Sequence, residues 1–318
     1  MEEKPLISII IPVYNSAKTL VRALDSIEGQ SLDRALEIIL PLDPGIDNSF
    51  EIATQYASTH PNVRLYASTE RLGLGLSRMK GLKLAQGDFL YFMDADDRLA
   101  KDGLRILYET LIQTDADCVN CGFYLVGADE KFKRFPLYRN KAMNASQALS
   151  AFFADSWFRG FLWTKMFRRS VIEQRPLLVL TDRKDMFEDV ALDCSLLSHC
   201  QKVVSISAPL YYYYKDVPTS ASTVHRSDRA LQHLKVMALE RYFLEQSGNK
   251  SLQKAFKKHL IRNHWSLLFD LSLDKKYGAS KEYQNHIKEE WEFLKNMKKP
   301  LPVAGRAYED VIKTSFYF

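Results

Sequence analysis

Between Gly87 and Asp97 the chain reads Gly-Asp-Phe-Leu-Tyr-Phe-Met-Asp-Ala-Asp-Asp, an apolar run that ends in three acids. The apolar run commits the segment to a buried strand covered on both faces. Packing gives no reason for three carboxylates at its end, where they repel one another unless a cation joins them. Hard divalent cations take oxygen ligands, and Mg²⁺ typically uses one or two carboxylates together with substrate phosphates. The carboxyl edge of a parallel sheet is also where open α/β folds bind ligands. Asp94 and Asp96 are therefore expected to face a metal and a phosphorylated ligand. Asp97 is placed to cap residues from Leu99 onward.

The rest of the first half alternates strand and helix. Ile7 to Pro12 is a β-branched strand, and Leu20, Ala23, Leu24 and Ile27 repeat at helical spacing. Leu36 to Leu40 is a second strand, stopped by Pro41. Phe50, Ile52, Ala53 and Tyr56 mark a helix, Val63 to Tyr66 a strand, and Gly73 to Ala85 a further helix. Leu104, Leu107 and Leu111 mark one more helix before a strand from Cys118 to Leu125. This order predicts an α/β fold, a parallel sheet with helices on both faces. Pro12-Val13, Asp43 and Asp94 to Asp97 all follow strands, so one cleft should gather them. From about residue 140 helical segments dominate, and Tyr211 to Tyr214 read as a strand. Beyond Ser227 the pattern is all-helical.

Net charge is +5, which suits an anionic partner without requiring one. Lys250 to Lys299 holds 12 Lys and Arg against 6 Asp and Glu, a solvated helical face by default and a membrane-surface contact otherwise. Scattered basic residues beside an acidic cleft exclude a nucleic-acid binder. Glu2 and Glu3 precede a short apolar run, Leu6 to Val13, which is neither an export signal nor a membrane span. With four cysteines, the chain is expected in the reducing cytosol. Cys118-x-x-Cys121 has half-zinc-site or redox spacing, but it lies in a strand and lacks a second half-site.

The residues resemble family 2 glycosyltransferases of the GT-A fold. Ser8-Ile-Ile-Ile-Pro-Val-Tyr-Asn15 is similar to the opening strand of that family. Glu37 to Asp43 and Asp47-Asn48-Ser49 resemble its second strand and nucleotide turn. Gly73-Leu74, Arg78 and Gly81-Leu82 resemble the segment before the acidic motif, and Asp94-Ala95-Asp96-Asp97 the DxD motif itself. Trp163 to Arg168, Phe187-Glu188-Asp189, Pro209 to Tyr213 and Ser220-Ala221-Ser222 follow in family order. The match runs from about Ile7 to about His225.

The resemblance implies an inverting transfer from a nucleotide-diphosphate sugar, with a UDP-sugar expected, to a hydroxyl of a glycan, polyol-phosphate or glycosylated acceptor in bacterial surface-polymer synthesis. It assigns Asp189 as base with Glu188 beside it, and Pro12, Tyr14, Asp43, Arg78, Asp94 and Asp96 to the donor. Mn²⁺ or Mg²⁺ is expected on Asp96 and Asp94. Arg183, Lys184 and His225 suit a phosphate-bearing acceptor. The catalytic domain is expected at 1–226. A helical region at 227–318 is left for acceptor binding, self-association or contact with the inner face of the cytoplasmic membrane.

Two departures bear on the base contacts: Pro41 and Pro44 flank Asp43 where the family has two acids before a glycine, and Arg71 and Met79 stand where asparagine is usual. A sugar nucleotidyltransferase would need a glycine-rich basic loop, which Pro12 to Lys18 does not supply. A non-catalytic assembly subunit would be favoured by loss of Asp96 or Asp189, and both are present.

Overall fold

The computed structural model describes residues 5–32, 35–127, 129–135, 139–154, 158–173, 177, 188–215 and 250. The expectations for Arg183, Lys184, His225, Phe187, Ser220 to Ser222 and the helical region beyond 227 lie outside these residues. The described elements are β1 (Ile7–Ile10), α1 (Leu20–Glu28), β2 (Leu36–Leu42), α2 (Ser49–Thr59), β3 (Val63–Ala67), α3 (Leu74–Leu84) and β4 (Phe89–Phe92). They continue with β5 (Arg98–Leu99), α4 (Gly103–Thr114), β6 (Cys118–Val126), β7 (Phe132–Arg134), β8 (Lys141–Met143) and α5 (Ala145–Ala154). The last are β9 (Lys165–Arg168), α6 (Glu188–His199) and β10 (Val203–Tyr214).

These strands form one sheet in the order β3-β2-β1-β4-β9-β6-β10-β5, with β7 on β6 and β8 on β10. The first four are parallel, as the alternating pattern predicts. The sheet as a whole is mixed: β9 runs antiparallel between β4 and β6. Antiparallel insertion needs no crossover helix, so strand-helix alternation in the sequence does not announce it.

Side chains alternate across the sheet. Ile7 and Ile9 of β1, with Phe89 and Tyr91 of β4, pack toward α1 and α4. Ile10, Leu90 and Phe92 pack the other way with α3, α5 and α6. Leu20, Ala23, Leu24 and Ile27 of α1 are all buried, as their spacing requires. In α2 the pattern is shifted: Ala53 is buried, but Phe50 is 51% exposed. Cys118 and Cys121 fall in cores on opposite faces of the sheet, so that pair cannot share a metal. All four cysteines are buried free thiols.

Two prolines shape β1 and β2. Pro41 lies inside β2 rather than ending it, and its carbonyl accepts from Val13 N–H at 2.9 Å. Pro41 has no N–H to donate to β1, so regular β1–β2 pairing stops and only the bridge Val13↔Leu42 follows. Gly81 lets α3 press on this point, because a Cβ there would sit 2.4 Å from Ile10 Cγ2 and 3.2 Å from Pro41 Cγ. Among the described residues no helix is long and apolar enough to cross a membrane.

Two buried polar groups staple the fold. At the amino edge of the sheet, Glu37 accepts from Ser8 Oγ at 2.6 Å, Gln86 N–H at 2.5 Å, Gly87 N–H at 3.1 Å and Arg64 Nη1 at 2.8 Å. Burial alone would raise its pKa, but these donors outweigh it and hold the carboxyl below its ordinary value. Beneath α6, Lys165 and Asp193 form a fully buried ion pair at 2.7 Å. The same ammonium donates to the carbonyls of Arg159 at 2.8 Å and Phe161 at 3.0 Å. This pair fixes α6 to β9.

Glu37→Gln should cost about 1–3 kcal/mol in denaturant unfolding at neutral pH. Because folding lowers the Glu37 pKa, its contribution is full above the unfolded value and lost as pH falls through the folded one. The gap between wild type and variant should therefore narrow on acidification below about pH 4.3. Lys165→Met strands a buried carboxylate and should cost about 3–5 kcal/mol. The double change Lys165→Met with Asp193→Leu should recover most of that loss in the same unfolding experiment.

Candidate active site

The carboxyl edge of β1, β2 and β4 gathers the residues that the strand pattern places there. Asp43 N–H donates to Val13 O at 3.0 Å, which joins the ends of β1 and β2. The Asp43 carboxylate then accepts from Leu72 N–H at 3.0 Å, Gly73 N–H at 2.8 Å and Ser77 Oγ at 3.2 Å. It thus anchors the first turn of α3, where a negative charge is favoured. Gly73 has φ 84°, a left-handed conformation that glycine adopts without a Cβ penalty.

Tyr14 and Asn15 form the facing wall. Asn15 has φ 49° and accepts Ile46 N–H on Oδ1 at 2.9 Å. Asp47 accepts from Ala17 N–H at 2.9 Å and from Ser49 Oγ at 2.5 Å, while Ser49 Oγ accepts Ser16 N–H at 2.7 Å. The two turns are therefore one body. Arg71 lies 4.1 Å over the Tyr14 ring, so the residue that departs from the family pattern fills this wall with a cation.

The acid loop follows β4. One ligand oxygen from each of Asp94, Asp96 and Asp97 lies within 4.8 Å of the others, so the group is spaced to hold a metal ion. The three are not equivalent. Asp97 is fully buried, accepts from Tyr211 O–H at 2.8 Å and from Tyr214 N–H at 2.8 Å, and caps no helix. The next helix, α4, starts after Asp102. Asp94 is 28% exposed and takes an ion pair from Arg78 Nη2 at 2.8 Å. Asp96 has its carboxyl pushed up to about 6, by burial first and by Asp94 second, with Arg22 opposing. Two carboxylates open toward a phosphorylated ligand fit the usual Mg²⁺ or Mn²⁺ donor set.

Across the cleft, α6 begins with Glu188 and Asp189. The Glu188 side chain is 5% exposed and ion-pairs with Arg78 Nη1. Arg78 thereby bridges the acid loop and the first turn of α6. Asp189 is half-buried. Its carboxyl is pushed up to about 8, by burial first and then by the Glu188 charge, against the pull of Arg78. Pro12, Tyr14, Asp43, Arg78, Asp94, Asp96, Glu188 and Asp189 thus all belong to this edge of the sheet and the α6 terminus facing it.

Sequence reasoning missed the supports. Arg22 of α1 donates to the Asp96 carbonyl at 2.5 Å and stacks 3.6 Å over the Tyr214 ring. Tyr211 accepts Asp94 N–H at 3.2 Å and stacks on Trp163 at 4.5 Å between centroids. Lys165 and Asp193 had a legible signal, since each is a lone charge in an otherwise apolar segment and a buried lysine needs a buried acid.

The chain is 29% identical over 233 residues to an uncharacterized glycosyltransferase EpsJ of Bacillus subtilis, covering 72% of this chain and 67% of that protein. It is 27% identical over 277 residues to a cholesterol galactosyltransferase of Borreliella burgdorferi, covering 83% and 74%. Its fold matches the crystal structure of S. aureus TarS 1-349 in complex with UDP-GlcNAc with a TM-score of 0.66 at 18% identity, over 89% of this chain and 79% of that one. A family model described as glycosyl transferase family 2 matches residues 8–175. That span is more than half of the chain, and the protein belongs to glycosyl transferase family 2, an enzyme of glycosyl transfer built on the GT-A fold.

Proposed function

We propose that this enzyme moves a sugar, with inversion, from a UDP-sugar to a hydroxyl of a glycan, polyol-phosphate or glycosylated acceptor in bacterial surface-polymer synthesis. The observation that carries the reading is Arg78, whose guanidinium joins Asp94 to Glu188 and so sets the acid loop against the first turn of α6. The likeness to TarS, solved with UDP-GlcNAc, supports a uridine nucleotide. Pro12 and Tyr14 would flank the nucleoside. Asp43, beyond its work on α3, would accept from uracil N3–H with its remaining lone pair.

Mn²⁺ or Mg²⁺ on Asp96 and Asp94 would neutralise the charge that grows on the departing nucleoside diphosphate. Asp189 takes the proton of the acceptor hydroxyl as that oxygen bonds to the anomeric carbon. The bond from this carbon to the phosphate oxygen breaks, and its electron pair leaves with the diphosphate. One displacement from the face opposite the leaving group inverts the centre. Glu188 is held by Arg78 and acts on Asp189 through its charge, which leaves Asp189 the base. A carboxyl poised near the working pH suits that task.

Residues 1–226 would form the catalytic domain, with Arg183, Lys184 and His225 meeting the acceptor. Residues 227–318 would serve acceptor binding, self-association or peripheral contact with the cytoplasmic membrane. Buried thiols suit the reducing cytosol.

Asp96→Ala should abolish the Mn²⁺-dependent part of UDP affinity in calorimetric titration, together with transfer. Equal UDP binding by the wild type with and without Mn²⁺ would overturn the metal assignment. Asp189→Asn should keep UDP-sugar affinity and melting temperature near wild type while losing about 10² to 10⁴ in kcat. Wild-type turnover by that variant would remove Asp189 from the chemistry.

A further inference from the structure

The three acids at the end of β4 divide into two groups, Asp94 and Asp96 with exposed surface and Asp97 with none. We propose that Asp97 is a positioning residue, which with Tyr211 pins the turn that aims Asp94 and Asp96 into the cleft. The inference rests on the donor-site reading above and deepens it.

Both Asp97 oxygens are engaged, Oδ2 by Tyr211 O–H and Oδ1 by Tyr214 N–H, each at 2.8 Å. The residue has no exposed surface. A cation or phosphate in the cleft would meet Asp94 and Asp96, which keep exposed surface, before the fully buried Asp97. Tyr211 closes the loop from the other side, because its hydroxyl oxygen accepts Asp94 N–H at 3.2 Å while its hydrogen goes to Asp97. One phenol therefore fixes the residues at both ends of the Asp94 to Asp97 turn. Asp97 N–H adds a bond to Asp94 O at 3.3 Å across the same turn.

The clamp is itself held. Tyr211 is fully buried, and its ring stacks on Trp163. Its strand, β10, pairs with β5 immediately after the acid loop, in the register Tyr211↔Leu99. The middle of the turn is gripped separately, by Arg22 on the Asp96 carbonyl, with the same guanidinium stacked on Tyr214. Asp96 is thus presented from a turn whose two ends and centre are tied to β10 and α1. A carboxylate that binds metal from such a turn keeps its direction at no cost in ordering when the donor arrives.

The test is a Mn²⁺ titration at fixed UDP, read by calorimetry, on wild type, Asp97→Asn, Tyr211→Phe and the double variant. The substitution at Tyr211 keeps the ring on Trp163 and removes only the hydroxyl. Each single change should weaken Mn²⁺-dependent UDP binding by about 10- to 100-fold, the usual effect of losing an outer-shell partner. The double variant should lose less than the two single losses combined, since both changes break the same Tyr211–Asp97 hydrogen bond. UDP binding without metal should stay unchanged in all of them.

A wild-type Mn²⁺ midpoint for Tyr211→Phe beside a loss in Asp97→Asn would make Asp97 a direct ligand and overturn the inference. Wild-type midpoints in both, with only a lower melting temperature, would reduce the clamp to a stability element and overturn it too. If Asp97→Asn does not fold, Tyr211→Phe decides alone by the same midpoint. Metal-independent UDP binding by the wild type would instead sink the donor-site reading itself, a failure visible before any variant is compared.

Discussion

One guanidinium organises the cleft. Arg78 is buried and reaches a carboxylate on either side, Asp94 after β4 and Glu188 at the start of α6. Without it, the acid loop and the first turn of α6 would face each other as like charges in a poorly solvated space. Its position is set by how α3 is seated on the sheet. Gly81, three residues on, lets α3 sit against Ile10 and Pro41, and Asp43 holds the first turn of the same helix. The bridge is therefore a consequence of how closely a helix can approach a sheet. A larger residue at 81 would act on the acids at a distance, by moving Arg78.

The two edges of the sheet treat buried polar groups in opposite ways. At the amino edge, Glu37 receives donors from Ser8, Gln86, Gly87 and Arg64, and its pKa falls despite burial. At the carboxyl edge, Asp96 and Asp189 are raised, and in both burial is the largest cause. The first arrangement stabilises the fold by satisfying a charge. The second leaves carboxyls short of donors, a state that a cation and a reacting hydroxyl can relieve. Raised carboxyls in a cleft mark functional sites for this reason.

The sequence was most legible where local rules govern. Parallel β1 to β4 and helices α1 and α4 follow from apolar periodicity, and the helical residues named from it in α1 and α4 are buried. Periodicity failed at Phe50, which a short helix with a weak stripe leaves facing solvent. It also failed for Pro41, which sits within β2 because only its carbonyl is needed there. Strand β10 runs through Pro209 to reach Tyr214, with register shifts on either side of the proline, so a bulge and not a strand end absorbs it. Of the acids, Asp94 and Asp96 stood out because their pattern is local. Asp97 read as a helix cap in sequence, because its actual partners Tyr211 and Tyr214 lie 114 and 117 residues away.

That contrast extends to the whole cleft. The side carrying Asp43, Asp94 and Asp96 is assembled from successive strand-helix units. The side carrying Glu188 and Asp189 depends on β9 inserting between β4 and β6, and on Lys165 of β9 holding Asp193 of α6. Asp193 lies one helical turn beyond Asp189, so the buried pair sets the rotation of α6 about its axis and with it the direction of Asp189. A buried ion pair is a poor way to gain stability, because desolvation offsets its attraction. It does discriminate sharply against rotated or shifted helices, in which both charges would be stranded. An apolar pair in its place would tolerate such shifts, so the charge at the root of α6 is best understood as fixing where Asp189 points.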